Sequence, residues 1–247
     1  MNKRTKSSRV VVAIVALLCA ASRAYAHTVQ THDGKPPLVH WAILVSTDGN
    51  MKEMQDCAVK FVAPEVANEP GTYALYGGVD AADPNVLRLL EIYEDQAAYE
   101  RHVGSVPFGK YREARAPILE RLDIVETEPI ALEQKPSGRG TFLVMRRFRV
   151  DPNKRDEWRD AVRREARRAV AQREGVLGLF ATAERDDPNV VRTLEIYSDE
   201  VAFQNAENTP EARAFRAIVA PCERDLARVY VNDANVPLSA KGLRDEK

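Results

Sequence analysis

The sequence predicts an α+β protein in which one small domain is built twice. The main observation is a repeat, because residues 83–93 and 187–197 share Asp-Pro-Asn-Val, an arginine and Leu-Glu-Ile-Tyr at an offset of 104 positions. A period of that length is the size of a small domain and far exceeds the ~20–50 residues of a solenoid unit. A second observation is that each copy alternates apolar runs with amphipathic segments. Function should therefore depend on what the two copies form together.

The N-terminal segment is predicted to be an export signal outside the fold. A basic start is followed by an apolar run over residues 10–21 and by an Ala-x-Ala cleavage motif that ends at Ala26. This is the pattern of a cleavable signal peptide, and the apolar run is short for a membrane span. We therefore expect residues 1–26 to be removed and the mature protein, beginning at His27, to be periplasmic or secreted.

Charge and cysteine content limit the partners. The leader holds five of the 36 basic residues and none of the 37 acidic ones, so the mature chain is net negative. That balance argues against nucleic acid as a partner, and no later apolar run is long enough to span a membrane. Cys57 and Cys222 occupy non-equivalent places in the two copies. We expect free thiols, although an oxidising compartment would permit a disulfide.

The first copy, residues 37–131, is predicted to have the order β-α-β-β-α-β. The runs that predict strands are 38–45, 71–79, 86–93 and 122–130. The helical segments are 51–66, 96–103 and 107–120, and the first of them has apolar side chains at helical spacing. Asp95 is placed to cap the second helical segment, and Asp-Pro-Asn favours a tight turn between the second and third strands. This order is that of the ferredoxin-like unit.

The second copy, residues 141–233, repeats this order. Asp151 and Pro152 mark the start of a long helix whose outer face is rich in arginine. We expect that face to be solvated, with anion binding as the less favoured alternative. Residues 132–140 are expected to be a polar linker, and residues 234–247 are expected to be a polar, frayed tail.

The two copies are predicted to stack against each other. Both helices of a ferredoxin-like unit cover one face of its sheet, and the other face stays bare. Residues 38–45 and 87–92 are too apolar for that bare face to lie in water, so we expect two bare faces to pack together. One chain would then form a barrel that single-copy relatives need a dimer to form. The barrel interior is expected to hold an apolar ligand pocket.

One motif of the first copy resembles the antibiotic biosynthesis monooxygenase family. It reads Glu91-Ile92-Tyr93-x-Asp95-x-x-Ala98-Tyr99-x-x-His102. The second copy repeats the motif with Phe203 and Ala206 in place of the second tyrosine and the histidine. The family includes quinol monooxygenases and is a branch of the dimeric α/β-barrel proteins. The resemblance implies that barrel, formed here within one chain, over nearly all of both copies.

The resemblance also implies an activity. It implies oxidation of a phenolic or quinol-type small molecule by O₂ without metal, flavin or other cofactor, after the substrate loses a proton in an apolar pocket. A fold does not fix a function, so two alternatives stay open. One is haem binding or degradation, although no histidine follows His102, whereas the tandem haem proteins of the chlorite dismutase group use one in their second domain. The other is non-enzymatic binding of a small ligand in the periplasm.

His102 is the candidate catalytic base. A histidine titrates near neutrality, and the resemblance places a histidine at this position in many family members. Glu91 and Tyr93 share one face of a strand because side chains alternate along it, and both are candidates for substrate contact. They recur in the second copy as Glu195 and Tyr197, which favours a structural role for the pair.

His40 and Trp41 are the remaining candidates for substrate contact. They are adjacent on the first strand, so one must face the barrel interior and the other must face the helices. The second copy has Val144 and Met145 at these positions, so both features belong to the first copy alone. We expect a pocket role for at least one of them. No metal site is expected. The sequence leaves open whether the chain forms a homo-oligomer.

Overall fold

A computed structural model describes residues 26–232 and 234–244. The predicted signal peptide lies, except for Ala26, outside the described residues. Within the described chain, nine strands form one curled antiparallel sheet, and helices cover its outer face. The predicted α+β fold of two ferredoxin-like copies is confirmed.

The first copy contains four long strands and four helices. The strands are β1 (His27–Thr28), which precedes the repeat, β2 (Leu38–Ser46), β3 (Thr72–Asp80), β4 (Asp83–Tyr93) and β5 (Leu119–Gln134). The helices are α1 (Met51–Phe61), α2 (Ala63–Asn68), α3 (Gln96–Val103) and α4 (Val106–Arg115). One long helix was expected where α1 and α2 lie, and the break has a cause. Pro64 has no backbone N–H, so it cannot continue the hydrogen bonds of α1.

The second copy repeats this arrangement with one long first helix. Its strands are β6 (Arg139–Gly140), β7 (Phe142–Val150), β8 (Val176–Glu184), β9 (Val190–Tyr197), β10 (Glu223–Val231) and β11 (Val236–Pro237). Its α-helices are α5 (Arg155–Gln172), α6 (Glu200–Glu207) and α7 (Pro210–Val219). The aspartates at equivalent places begin equivalent helices, since Asp95 accepts the Ala98 N–H and Asp199 accepts the Ala202 N–H, both at 2.7 Å.

Two seams join the copies into a barrel. The strand order is β5-β2-β4-β3 in the first copy and β10-β7-β9-β8 in the second. At one seam the long β5 pairs with β2 through its first half and with β8 through its second half. At the other seam, the Ala81 N–H donates to the Tyr230 carbonyl at 3.0 Å. A Cβ added to Gly78 would lie 2.5 Å from Val231, so this close approach requires glycine.

The interior of the barrel is a packed core. Large side chains from both copies fill it, including Trp41, Tyr76, Leu90, Leu143, Phe180, Leu194 and Ile196. The rings of Tyr76 and Phe180, one from each copy, lie 5.8 Å apart. The expectation of a ligand pocket in the barrel interior is therefore wrong, because bulky apolar residues of both sheets interdigitate there. The space for a ligand lies on the other face of the sheet, under the helices.

Two segments that were expected to be loose belong to the fold. β5 continues into the expected linker and pairs with β8 as far as Gln134. The tail crosses the first copy instead of fraying: the Ser239 N–H donates to the Tyr76 hydroxyl at 3.1 Å, and the Lys241 ammonium donates to the Glu69 carbonyl at 2.7 Å. The polar groups that suggested a solvated tail satisfy backbone and side-chain partners at the edge of the first copy.

The thiols agree with the expectation from sequence. Cys57 is half-buried, Cys222 is buried, and both are free. No helix in the described ranges is long and apolar enough to cross a membrane.

Candidate functional site

A cavity of about 530 Å³ lies between the sheet and the helices of the first copy. The outward faces of β2, β3 and β4 form its floor, and α1, α2 and α4 contribute its walls. Alternation along β4 explains the floor, since Leu87, Leu89, Glu91 and Tyr93 face the helices, whereas Leu90 and Ile92 face the barrel core. The walls are mainly apolar. The polar side chains come mostly from Glu91, five tyrosines and Arg115.

Glu91 is a buried carboxyl with no basic side chain in hydrogen-bonding contact among the described residues. Its Oε2 accepts a hydrogen bond from the Tyr93 hydroxyl at 3.1 Å. Burial raises the pKa of Glu91 to about 7, and the Tyr93 hydrogen bond and the charge of Arg115 oppose that rise. A carboxyl that titrates near neutrality in an apolar cavity can accept a proton from a bound molecule.

Aromatic rings surround this carboxyl. The Tyr99 ring centre lies 5.3 Å from that of Tyr93 and 4.8 Å from that of His40. Burial raises the pKa of both tyrosines, so their hydroxyls remain protonated at neutral pH. Burial lowers the pKa of His40, which favours its neutral form. The Nδ1 of His40 is buried and has no hydrogen-bond partner among the described residues, and His40 pairs with Glu91 across β2 and β4.

His102 lies one layer behind the cavity wall. Its Nδ1 is 2.7 Å from Oε2 of Glu69, which fixes the orientation of the ring. The ring packs 5.6 Å from the Tyr93 ring and 5.1 Å from the Phe108 ring, measured between centres. Its Nε2 is buried, and no residue in the described ranges forms a hydrogen bond with it. His102 therefore contacts two residues of the wall but does not itself line the cavity.

The five predicted site residues thus occupy three different places. Glu91 and Tyr93 line the cavity, and His40 and His102 support its aromatic wall. Trp41 lies on the other face of the sheet, where its Nε1 donates to the Thr182 hydroxyl of the second copy at 3.0 Å. Trp41 is part of the barrel core and is separated from the cavity by the sheet, so its expected pocket role finds no support.

Sequence analysis missed Arg115, which lies at the end of α4 and lines the cavity. Its side chain is buried, and its guanidinium carbon lies 4.7 Å from the centre of the Tyr111 ring. Within the part of the chain that the structure describes, its Nε has no hydrogen-bond partner. The second copy has Val219 at the equivalent position. This difference between the copies is visible in the sequence, and a comparison of the copies could have identified Arg115 as a candidate.

The second copy keeps the glutamate and the tyrosine, but there an arginine forms an ion pair with the glutamate. Tyr197 donates to Oε2 of Glu195 at 2.6 Å, as in the first copy, and Arg146 forms an ion pair with Glu195. The position of Arg146 corresponds to Ala42 in the first copy. A smaller cavity of about 240 Å³ lies beside this pair. The two copies therefore differ in whether their buried acid has a cationic partner.

Metal binding has no obvious location in the described chain. Residues 26–232 and 234–244 contain no group of three or more His, Cys, Asp or Glu side chains that could hold a metal ion.

Comparison with known proteins identifies similar sequences and folds. The family profile described as antibiotic biosynthesis monooxygenase matches residues 47–114 and 141–218. No curated protein matches the sequence. A crystal structure from Lactobacillus acidophilus NCFM, provisionally assigned as a monooxygenase, is 17% identical with a TM-score of 0.76 and covers 85% of this chain and 99% of its own. A second provisional monooxygenase, from Fusobacterium nucleatum, is 16% identical with a TM-score of 0.71 and covers 82% and 97%.

A third similar structure is that of an anthrone oxidase-like protein. It is 13% identical with a TM-score of 0.57, and the match covers 87% of this chain and 96% of that one. At these identities the three structures show that the fold is shared along most of the chain. The profile match, which covers both copies, shows the family.

Proposed function

Because this chain belongs to the antibiotic biosynthesis monooxygenase family, we propose that its first copy oxidises a phenolic or quinol-type molecule with O₂ and needs no bound cofactor. The observation that carries this proposal is Glu91, a carboxyl with a pKa of about 7 in an apolar cavity of about 530 Å³. The ordinary task of such a group is to take a proton from a weakly acidic hydroxyl.

The proposed reaction begins with that proton transfer. Glu91 accepts the proton of a substrate hydroxyl, and the substrate anion then passes one electron to O₂. The substrate radical and superoxide combine to a peroxide anion, which takes the proton back from Glu91. The resulting hydroperoxide loses water to leave a quinone. One oxygen atom of O₂ enters the product, the other leaves as water, and the substrate supplies all the electrons. The mainly apolar walls of the cavity limit side reactions of the radical pair with water.

The neighbours of Glu91 have supporting roles in this proposal. The Tyr93 hydroxyl holds the carboxyl in one orientation through the 3.1 Å hydrogen bond. His102 was the expected base, but it contacts the wall from behind, so we assign proton transfer to Glu91 and make His102 a positioning residue. His102 acts through Tyr93 and Phe108, whose rings it contacts.

The experiment that tests this function is oxygen consumption by the purified protein with a panel of phenols and hydroquinones. We expect turnover of at least one of them, and we expect Glu91→Gln to lower kcat by about 10²-fold or more, since it removes the general base. The matched control is Glu195→Gln in the second copy, which should leave kcat within about twofold of the wild-type value. Ligand binding without any oxygen consumption would contradict the proposal and favour a binding protein.

Export is a separate proposal, supported by the basic and apolar pattern of residues 1–26. We expect the mature protein to begin at His27 and to fractionate with the periplasm or the medium. N-terminal sequencing of the protein from its own host tests this, and a chain that retains its leader in the cytoplasm would contradict it.

A further inference from the structure

We propose that the first-copy cavity takes aromatic hydroxy acids, in which a permanent carboxylate binds to Arg115 while the hydroxyl faces Glu91. The identification of the ligand as a phenol rests on the proposed function. The identification of a carboxylate subsite rests on Arg115 alone.

Arg115 is a buried cation without an anionic partner. Its side chain is 7% exposed, its Nε makes no hydrogen bond, and no carboxylate of the described residues lies within 4.0 Å of it. Its neighbours are the rings of Tyr111 and Phe108, whose centres lie 4.7 and 6.0 Å from the guanidinium carbon. An arginine cannot lose its proton at any ordinary pH, so burial without a counterion is costly, and ring contacts offset little of that cost.

Three arginines of low exposure in the second copy have carboxylate partners. They are Arg146 with Glu195, Arg173 with Glu165 at 2.9 Å and Arg192 with Glu184 at 2.8 Å. The contrast indicates that an anion from outside the chain completes the surroundings of Arg115. Its position on the cavity wall makes a bound ligand the source of that anion.

Glu91 does not supply the missing charge. The charge of Arg115 lowers the pKa of Glu91 less than burial raises it, and the result is a pKa of about 7. Near neutrality the glutamate is therefore protonated for much of the time. After it accepts a proton from a substrate, the negative charge lies on the substrate oxygen and Glu91 is neutral. A substrate that carries its own carboxylate gives Arg115 a counterion that does not depend on the protonation of Glu91.

The lining of the cavity suits an aromatic acid. Tyr99, Phe108 and Tyr111 supply rings on one side, and Leu87 and Leu89 supply aliphatic floor. The volume of about 530 Å³ is in the range of small-molecule sites. A planar guanidinium binds a carboxylate through two parallel hydrogen bonds, which would fix the ring and direct its hydroxyl.

The test is binding of a matched pair of probes under anaerobic conditions, where no turnover can occur. The probes are 1-hydroxy-2-naphthoate and 1-naphthol, which differ by the carboxylate, and affinity is measured by calorimetry. We expect the wild type to bind the acid about tenfold or more tighter than the naphthol. Arg115→Met should abolish that preference, while Arg112→Met, an exposed neighbour on α4, should retain it. Arg115→Lys should keep a weaker preference, because it keeps the charge.

Two outcomes would overturn the inference: equal affinities for the two probes in the wild type, or an unchanged preference in Arg115→Met. A thermal melt checks the fold of each variant, and Arg115→Met should melt no lower than the wild type, since it removes an unpaired buried charge. Failure of the proposed function and failure of the carboxylate subsite give different results. A carboxylate preference that depends on Arg115 without oxygen consumption contradicts the oxygenase and leaves the subsite. Oxidation of the hydroxy acid by Arg115→Met with an unchanged KM contradicts the subsite and leaves the oxygenase.

Discussion

Two equivalent glutamates show how one neighbouring residue decides the chemistry of a carboxyl. Glu91 and Glu195 each accept a hydrogen bond from the tyrosine two positions later. Glu195 also pairs with Arg146, whereas the first copy has Ala42 at that position. A buried acid beside an arginine stays ionised, and a buried acid without one holds its proton to higher pH. The pair in the second copy is structural, and the lone acid in the first copy is available for proton transfer.

This difference predicts opposite effects of Glu→Gln on stability. Glu91 ionises near its usual 4.5 in the unfolded chain and at about 7 in the folded one. Between those values the folded state holds a proton that the unfolded state has lost, so the free energy of unfolding falls as pH rises through that window. Glu91→Gln removes the fall and should stabilise the protein by about 3 kcal/mol at pH 8, with little effect at pH 4.

The control for that measurement is Glu195→Gln, studied by urea unfolding at the same two pH values. It leaves Arg146 largely buried without its partner and should destabilise the protein by about 3 kcal/mol at pH 8. If Glu91→Gln instead lowers the free energy of unfolding at pH 8, the acid is stabilised in its ionised form and the argument for a raised pKa fails.

A substitution in β2 should give the first copy the arginine–glutamate ion pair that the second copy has. Ala42→Arg gives Glu91 the partner that Glu195 has, so its pKa should fall and kcat should drop by about 10²-fold. Ala42→Leu controls for lost volume and should keep the pH dependence of kcat, and Arg146→Ala should leave kcat unchanged. A fully active Ala42→Arg enzyme would contradict the role of Glu91.

At the scale of elements, side-chain alternation along the strands was predictable and the position of the cavity was not. The period of two placed His40 and Trp41 on opposite faces, which the structure confirms. It could not say which face carries the cavity, because both faces of β2 and β4 are apolar. Recurrence of Glu91 in both copies suggested a structural role. Only the strand register and side-chain contacts reveal that Arg146 reaches Glu195.

His102 of α3 contacts the Tyr93 ring of β4, and a substitution can show whether it positions that ring or acts as the base. If His102 only holds the Tyr93 and Phe108 rings, His102→Ala should lower kcat by about tenfold and leave the apparent pKa of the pH profile near 7. His102→Gln, which can keep the contact with Glu69, should recover part of that loss. Disappearance of the pKa near 7 in His102→Ala but not in Glu91→Gln would make His102 the base.

For the whole molecule, the repeat predicted the barrel. Each copy has an apolar sheet face that must be covered, and within one chain the other copy covers it. The packed interior confirms the stacking but excludes that interior as the ligand site. The tail was not predictable, since its polar sequence does not reveal that Ser239 and Lys241 find partners on the first copy. The same contacts place the end of the second copy beside the mouth of the first-copy cavity.

The asymmetry of the two copies predicts one functional site per chain. Native mass spectrometry with 1-hydroxy-2-naphthoate should show one ligand per chain, because the second-copy cavity is smaller and has Val219 in place of Arg115. Arg115→Met should abolish that single binding event. Two equivalent ligands per chain would contradict the conclusion that only the first copy is competent.

The central claim is that Glu91 titrates near neutrality, whereas Glu195 is held in an ion pair with Arg146. The most direct measurement is the titration of both carboxyls by infrared difference spectroscopy, with Glu91→Gln and Glu195→Gln used to assign the bands. The account predicts a protonated carboxyl band that disappears with an apparent pKa of about 7 and is missing from Glu91→Gln. A Glu91 carboxyl that ionises at its ordinary value near 4.5 would contradict it.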